Sequence, residues 1–300
     1  MKVLIVGGTG LIGGHCAMLL NQDGHDVTIM ARHPAKAPAL AALDFMAADY
    51  VNDDFTGGQL AAFDAVIFSA AADIRHIPYD GSATPEQHYT RLNDTAVPRF
   101  AKACRDAGVS AFVLVDTFYP HVAPQKIGVC PYVTSRANTA AAVRALNTPT
   151  FKVCSIGAPF ILGHIPGLEM PYIDTLILYA KGQVPDLPVF APVGGTNHMS
   201  ATSLAEAVRG ALLHGEGGRA YLVGDENYSW KDYLECWFRL ANNAQDIPVS
   251  EAEHPLFPNM IMFAGVGATV SYEPDADVLK RLDYSRGNMR STIEHLLHKA

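Results

Sequence analysis

Through the first half of the chain, short apolar runs alternate with longer amphipathic stretches. Lys2–Val6, Val27–Ala31, Ala65–Ser69, Phe112–Val115 and Phe151–Ile156 lack polar alternation, as strands buried on both faces should. Leu11–Asp23, Pro85–Ala107 and Tyr132–Leu146 between them have helical spacing. Strand then helix, repeated, predicts an α/β fold built on a doubly wound parallel sheet, with right-handed crossovers placing helices on both faces.

After Ile156 the texture changes. Ala158–Pro192 is proline-rich and reads as loop with one helix near Tyr172–Lys181. Ser203-Leu-Ala-Glu206 has the form of a capping box opening a helix to about His214, and Ala220–Val223 is a short strand-like run. Ser229-Trp-Lys-Asp232 opens another helix, to about Asn243, and Ser291-x-x-Glu294 marks a last one. The expected division is a sheet domain over 1–156, to which 193–224 returns, and a smaller substrate-binding lobe from 157–192 and 225–300.

Composition narrows the function classes. The 300 residues are 49% hydrophobic and 17% charged, which excludes disorder as the main state. A formal charge of −8 and the lack of a basic run argue against a nucleic-acid partner. The five cysteines form no Cys-x-x-Cys pair and the twelve histidines no His-x-x-x-His pair, so neither a disulfide framework nor a metal site is expected. Met1-Lys2 and Val3–Val6 imitate a leader peptide, but the glycines from Gly7 break the apolar run, so it reads as a buried strand. Met260–Val270 is too short to span a bilayer. A cytoplasmic chain with no membrane partner is expected.

The strongest chemical signal is Gly7-Gly-Thr-Gly-Leu-Ile-Gly13 between the first strand and its helix. It fits Gly-x-x-Gly-x-x-Gly on Gly7, Gly10 and Gly13, and Gly-x-Gly-x-x-Gly on Gly8, Gly10 and Gly13. Such a turn lets a pyrophosphate approach backbone N–H groups at the positive end of a helix, the arrangement of Rossmann-type dinucleotide sites. Arg32, where an acidic residue would bind the NAD ribose, suits the 2′-phosphate of NADP, or is a solvated surface arginine. NADP(H) is therefore preferred, with NAD(H) as the alternative. Asp49 either hydrogen-bonds adenine or caps a turn.

Tyr132 and Arg136 lie on one face of the third helix. A tyrosine beside a cation can serve as general acid to a carbonyl receiving hydride, the cation lowering the phenol pKa towards working pH. Thr117, just past a strand end, could hydrogen-bond the substrate oxygen. Taken alone, an i,i+4 Tyr/Arg pair is equally a surface stacking pair.

These motifs together resemble the extended short-chain dehydrogenase/reductase family, also called the NAD-dependent epimerase/dehydratase family, over about Met1–Asn243. Gly7–Gly13 resembles its cofactor turn, and the resemblance extends the cofactor contacts to Thr9, Leu11 and Ile12. Phe68-Ser-Ala-Ala-Ala72 resembles the cofactor-lining segment after the fourth strand, implying contacts from Ala70 and Ala71. Asn93 sits where the family has a helix asparagine, and Val113–Thr117 resembles the strand that ends in serines. Tyr132-x-x-Ser135-Arg136 is similar to Tyr-x-x-Ser-Lys, and Pro159-Phe-Ile-Leu-Gly163 to a later cofactor segment that includes Pro159. The resemblance implies Tyr132, Arg136 and Thr117 as catalytic residues, with Tyr132 and Arg136 also touching the cofactor. Two residues depart from the pattern. Arg136 replaces the lysine that in the family hydrogen-bonds the nicotinamide ribose, and Asp116 stands where a serine is frequent.

Val27–Pro34 is similar to the same segment of NADP-using ketone reductases of the family. The arginine and ribose-binding acid that sugar epimerases tend to carry are absent. The expected function is an NADPH-dependent oxidoreductase acting on a carbonyl or secondary alcohol of a small substrate. An NAD-dependent sugar epimerase/dehydratase and a non-catalytic NADP-binding regulatory protein are the alternatives. The stripe Leu256, Phe257, Met260, Ile261, Met262 and Phe263 either lines an apolar substrate site or is ordinary core. His198, Tyr119 and His121 are further pocket candidates. The small residues Ala140–Ala142, with the Pro85–Ala107 helix, suit a homodimer interface or plain monomer packing.

Overall fold

The computed structural model describes residues 1–298 except Gly57, Ala71 and Tyr79. Among these, the strands are β1 (Lys2–Val6), β2 (Asp26–Ala31), β3 (Asp44–Ala47), β4 (Ala65–Phe68), β5 (Ala111–Thr117), β6 (Lys152–Ala158), β7 (Phe160–Leu162), β8 (Ala191–Pro192), β9 (Gly195–Ser200), β10 (Ala220–Leu222), β11 (Glu226–Ser229) and β12 (Val249–Ser250). The α-helices are α1 (Leu11–Gln22), α2 (Pro38–Ala41), α3 (Pro85–Tyr89), α4 (Ala96–Asp106), α5 (Tyr119–Val122), α6 (Pro131–Arg144), α7 (Pro171–Ala180), α8 (Ala201–His214), α9 (Trp230–Leu240), α10 (Ala276–Leu282) and α11 (Met289–His298).

Seven strands form one sheet in the order β10-β6-β5-β4-β1-β2-β3, every pair parallel. This is a Rossmann-type doubly wound sheet. β1 lies between β2 (Val3↔Val27) and β4 (Val3↔Ala65), so the strand order reverses there, and the crevice past its carboxyl end is where ligands bind such sheets. Successive strand residues point to opposite faces. Val3, Ile5, Ile29, Ile67 and Val113 therefore meet α1, α8 and α10, while Leu4, Val6, Val66, Phe68 and Phe112 meet α4 and α6. Both faces are dry, which is why the strands read as unbroken apolar runs.

β7, β9 and β11 form a second, three-stranded sheet. It packs with α7, α9 and α11 through Leu162, Leu176, Trp230, Tyr233, Trp237 and Ile293. Of the 193–224 stretch, β10 joins the large sheet beside β6 (Ala220↔Ser155), whereas β9 pairs with β7 and β11. From the chain beyond 224, α10 packs on the large-sheet side through Val278 and Leu282.

Two helix starts differ from the sequence reading. The cap of α8 is Ser200, whose side chain accepts from Ser203 N. Ser203 lies inside the helix, and Glu206 is taken by the amide and hydroxyl of Ser285 at 2.7 and 2.6 Å, so the box does not form. α11 starts at Met289, ahead of Ser291, whose hydroxyl turns back to Asn288 O. Ser229 caps α9 as expected, accepting from Asp232 N at 3.0 Å. The Pro85–Ala107 stretch is helical throughout but opens into a π turn at Thr90–Thr95. Pro98 follows one turn later and has no amide for the Asp94 carbonyl, which favours the wider turn. None of the five cysteines is paired, and no described helix is long and apolar enough to cross a membrane.

Candidate active site

The glycine turn leaves β1 at the switch point. Gly7 has φ +82°, and a Cβ there would sit 3.0 Å from the Ala70 backbone, so the position requires glycine twice over. A Cβ on Gly13 would lie 2.4 Å from Gly7 O, which forces the helix close to the strand. Gly8 is held tight against Ile29 of β2, at 2.5 Å for the same test. Gly10 differs: a Cβ there meets only Gly7 O, at 3.5 Å. It caps α1 without a side-chain partner, and no acidic residue lies in the first turn. The first helix amide bonded to a carbonyl is Gly14, to Gly10 O at 2.8 Å, leaving Leu11, Ile12 and Gly13 as open donors at the positive helix end. Thr9, Leu11 and Ile12 are half-buried beside them. This cradle fits a dinucleotide pyrophosphate.

Arg32 follows β2, is exposed, and has no hydrogen bond or ion pair among the described residues. Asp49 caps its own turn: its carboxylate accepts from Val51 N and Asn52 Nδ2, each at 2.8 Å. Next to it Tyr50, unremarked in the sequence, donates to Ala70 O at 3.2 Å. Ala71 lies outside the described residues. Asn93, fully buried in the π turn, grips Ala72 through both its amide atoms (2.8 and 3.0 Å), so it shapes the loop after β4. Pro159 is buried just past β6. Thr117 ends β5 with its hydroxyl directed to Ala158 O at 3.5 Å.

Arg136 departs most from expectation. Its Nε lies 2.6 Å from Asp116 Oδ1, and its Nη2 donates to Val115 O at 3.0 Å. Both side chains of this ion pair are about 95% buried. The two residues that break the family pattern thus touch each other. The Nη1 atom of Arg136 is buried without a partner, which suits a hydroxyl-bearing ligand at this position. Burial pushes the Asp116 carboxyl above its ordinary range, against the pull of Arg136.

Tyr132 is half-buried, stacked on Phe263 (4.1 Å, 22°) and edge-on to Tyr89 (5.7 Å). Burial pushes its phenol up to about 12, with Arg136 opposing the rise. The expected lowering towards working pH does not occur, because desolvation outweighs a cation already engaged with Asp116. At neutral pH the group is a neutral donor. Tyr119 also packs on Phe263, at 5.3 Å. The apolar stripe divides: Leu256 and Phe257 are core, Met260 is exposed, and Phe263 covers Tyr132. His198 is fully buried, stacked on Tyr233 at 4.4 Å, its Nδ1 3.0 Å from Thr196 O, so it is a core histidine. His121, at the last turn of α5, is exposed at the surface.

Comparison with known proteins agrees with this geometry. A family model described as NAD(P)H-binding matches residues 7–146. A 3-beta-hydroxysteroid dehydrogenase of Mycolicibacterium neoaurum is 28% identical over 116 residues, 37% of this chain and 31% of the relative, so less than a third of that protein's length is matched. Among solved structures, UDP-N-acetylglucosamine 4-epimerase from Bacillus cereus superposes with TM-score 0.75 at 16% identity, covering 100% of this chain and 99% of that one. A UDP-glucose-4-epimerase from Stenotrophomonas maltophila, solved with bound NAD, gives 0.74 at 18%, covering 100% and 97%. Residues 7–146, which carry the glycine cradle at the switch point, match an NAD(P)H-binding family model, and the whole chain shares its fold with solved UDP-sugar 4-epimerases.

Proposed function

We propose that the protein is an NADPH-dependent oxidoreductase moving hydride to or from a carbonyl or secondary alcohol of a small apolar substrate. The observation that carries the reading is Tyr132: a neutral phenol, one helical turn before a buried cation and walled by Phe263 and Tyr89. Bound NADP(H) supplies the hydride. The phenol of Tyr132 gives a proton to the developing alkoxide, and the same group takes it back in the oxidative direction. The Thr117 hydroxyl orients the reacting oxygen, and the rings of Tyr119, Tyr132 and Phe263 exclude water and favour an apolar substrate.

Arg32 supports NADP over NAD, since an exposed, unpartnered guanidinium in place of a carboxylate attracts a 2′-phosphate. The hydroxysteroid dehydrogenase name of the sequence relative suits an apolar secondary alcohol. The epimerase neighbours favour a second reading, an NAD-dependent epimerase acting on a sugar. Fluorescence titration with NADPH and NADH, followed by NADPH oxidation assays over apolar ketones, separates the two. Protein that retains NAD through purification and shows no preference for NADPH would refute the first reading.

A further inference from the structure

Asp116 and Arg136 form a single device, and what distinguishes it is the bookkeeping of one guanidinium. Its Nε faces Asp116 Oδ1 at 2.6 Å and its Nη2 donates to Val115 O at 3.0 Å. Nε and Nη1 are both buried without a hydrogen bond, but Nε lies against the Asp116 carboxylate, whereas Nη1 has no hydrogen-bond partner of any kind. A guanidinium is planar and rigid, so fixing two of its nitrogens fixes the third. A buried donor with no partner costs free energy unless a ligand supplies an acceptor.

We propose that Asp116 is a positioning residue: with the Val115 carbonyl it orients Arg136 so that one donor, Nη1, is presented to an oxygen of the bound cofactor. This rests on the cofactor reading above. The carboxylate neutralises a charge that would otherwise be isolated in a dry site, and it consumes the part of the fork that a single ligand oxygen does not need. Arginine is needed because it reaches the carboxylate and the ligand at once. A lysine ammonium occupies one point, and beside Asp116 that point is the carboxylate.

The test is a cycle of Asp116→Ser, Arg136→Lys and both together, read by NADPH fluorescence titration and by thermal unfolding of each variant. Each single change should weaken NADPH at least about tenfold, the first by freeing the fork and the second by drawing the ammonium onto Asp116. The double variant should recover to within about threefold of wild type. Asp116→Asn, which keeps the shape, guards against misfolding in the serine variant. It should still fold and still bind NADPH about tenfold less tightly, whereas a merely structural pair would lower its melting temperature and leave affinity alone. A double variant as weak as the product of the singles, or a folded Asp116→Asn with wild-type affinity, overturns the proposal. Wild-type protein that binds neither NADPH nor NADH overturns the cofactor reading and this inference with it.

Discussion

Gly7 and Gly10 occupy one turn but should fail in different ways when given a methyl group. In Gly7→Ala the residue would need φ +82°, which costs an L-residue about 1–2 kcal/mol. Its Cβ would also press on Ala70 backbone atoms at 3.0 Å, an overpacking worth about 1–3 kcal/mol. The sum, about 2–5 kcal/mol, is a large share of the roughly 5–15 kcal/mol that holds a domain folded. Gly10→Ala escapes both terms: its φ is −92° and its nearest neighbour would be Gly7 O at 3.5 Å. Only the loss of a glycine cap remains, at most about 1 kcal/mol. The new methyl would instead intrude on the space left for the pyrophosphate, weakening NADPH by about 1–3 kcal/mol, or roughly 5- to 150-fold. Urea unfolding and NADPH fluorescence titration of both variants check this. Gly10→Ala with wild-type affinity, or Gly7→Ala with wild-type stability, would refute the reasoning.

Arg32→Ala should weaken NADPH roughly 10- to 100-fold, the worth of a charge-assisted contact, and barely touch NADH; equal loss for both would remove Arg32 as the discriminator. Tyr132→Phe should lower turnover about 10²- to 10⁴-fold with cofactor affinity intact, and a fully active variant would remove Tyr132 from the mechanism. Because that phenol is held up to about 12, the wild-type reductive rate should show no loss from Tyr132 ionisation between pH 7 and pH 10, whereas a falling limb assigned to it near neutrality would contradict the burial argument. Burial holds His198 down to about 3, below its unfolded value, so its contribution to stability is complete above about pH 6.5 and is lost as the pH falls towards 3. His198→Gln should therefore lose about 2–3 kcal/mol less than wild type between pH 7 and 4.5 in urea unfolding; identical losses would show that the imidazole is not held neutral.

The large sheet was readable in the chain because a strand buried on both faces has no polar alternation to confuse it, and Lys2–Val6 and Val27–Ala31 lie within one residue of β1 and β2. Helix starts were less legible. Ser203-x-x-Glu206 has the right letters, yet Ser285, 79 residues on from Glu206, takes the glutamate. Tyr50 carried no local signal, since it acts by reaching the Ala70 carbonyl, and Phe263 showed only as one member of an apolar stripe, since it acts by folding back over a helix 131 positions earlier. Asp116 and Arg136 looked like two independent departures from a pattern, and only their contact makes them one.

Glycine spacing and unbroken apolar runs sufficed for the fold and the cofactor cradle, because backbone conformation and burial act on neighbours along the chain. The state of Tyr132 and Arg136 did not follow from neighbours. Tyr132 has its cation four residues away in either view, but its pKa depends on how dry the site is and on what else that cation touches. Desolvation and pairing are properties of three-dimensional surroundings, set here by β5, α6 and the loop carrying Phe263, and for that reason tertiary structure alone decided that the phenol is neutral and the arginine already engaged.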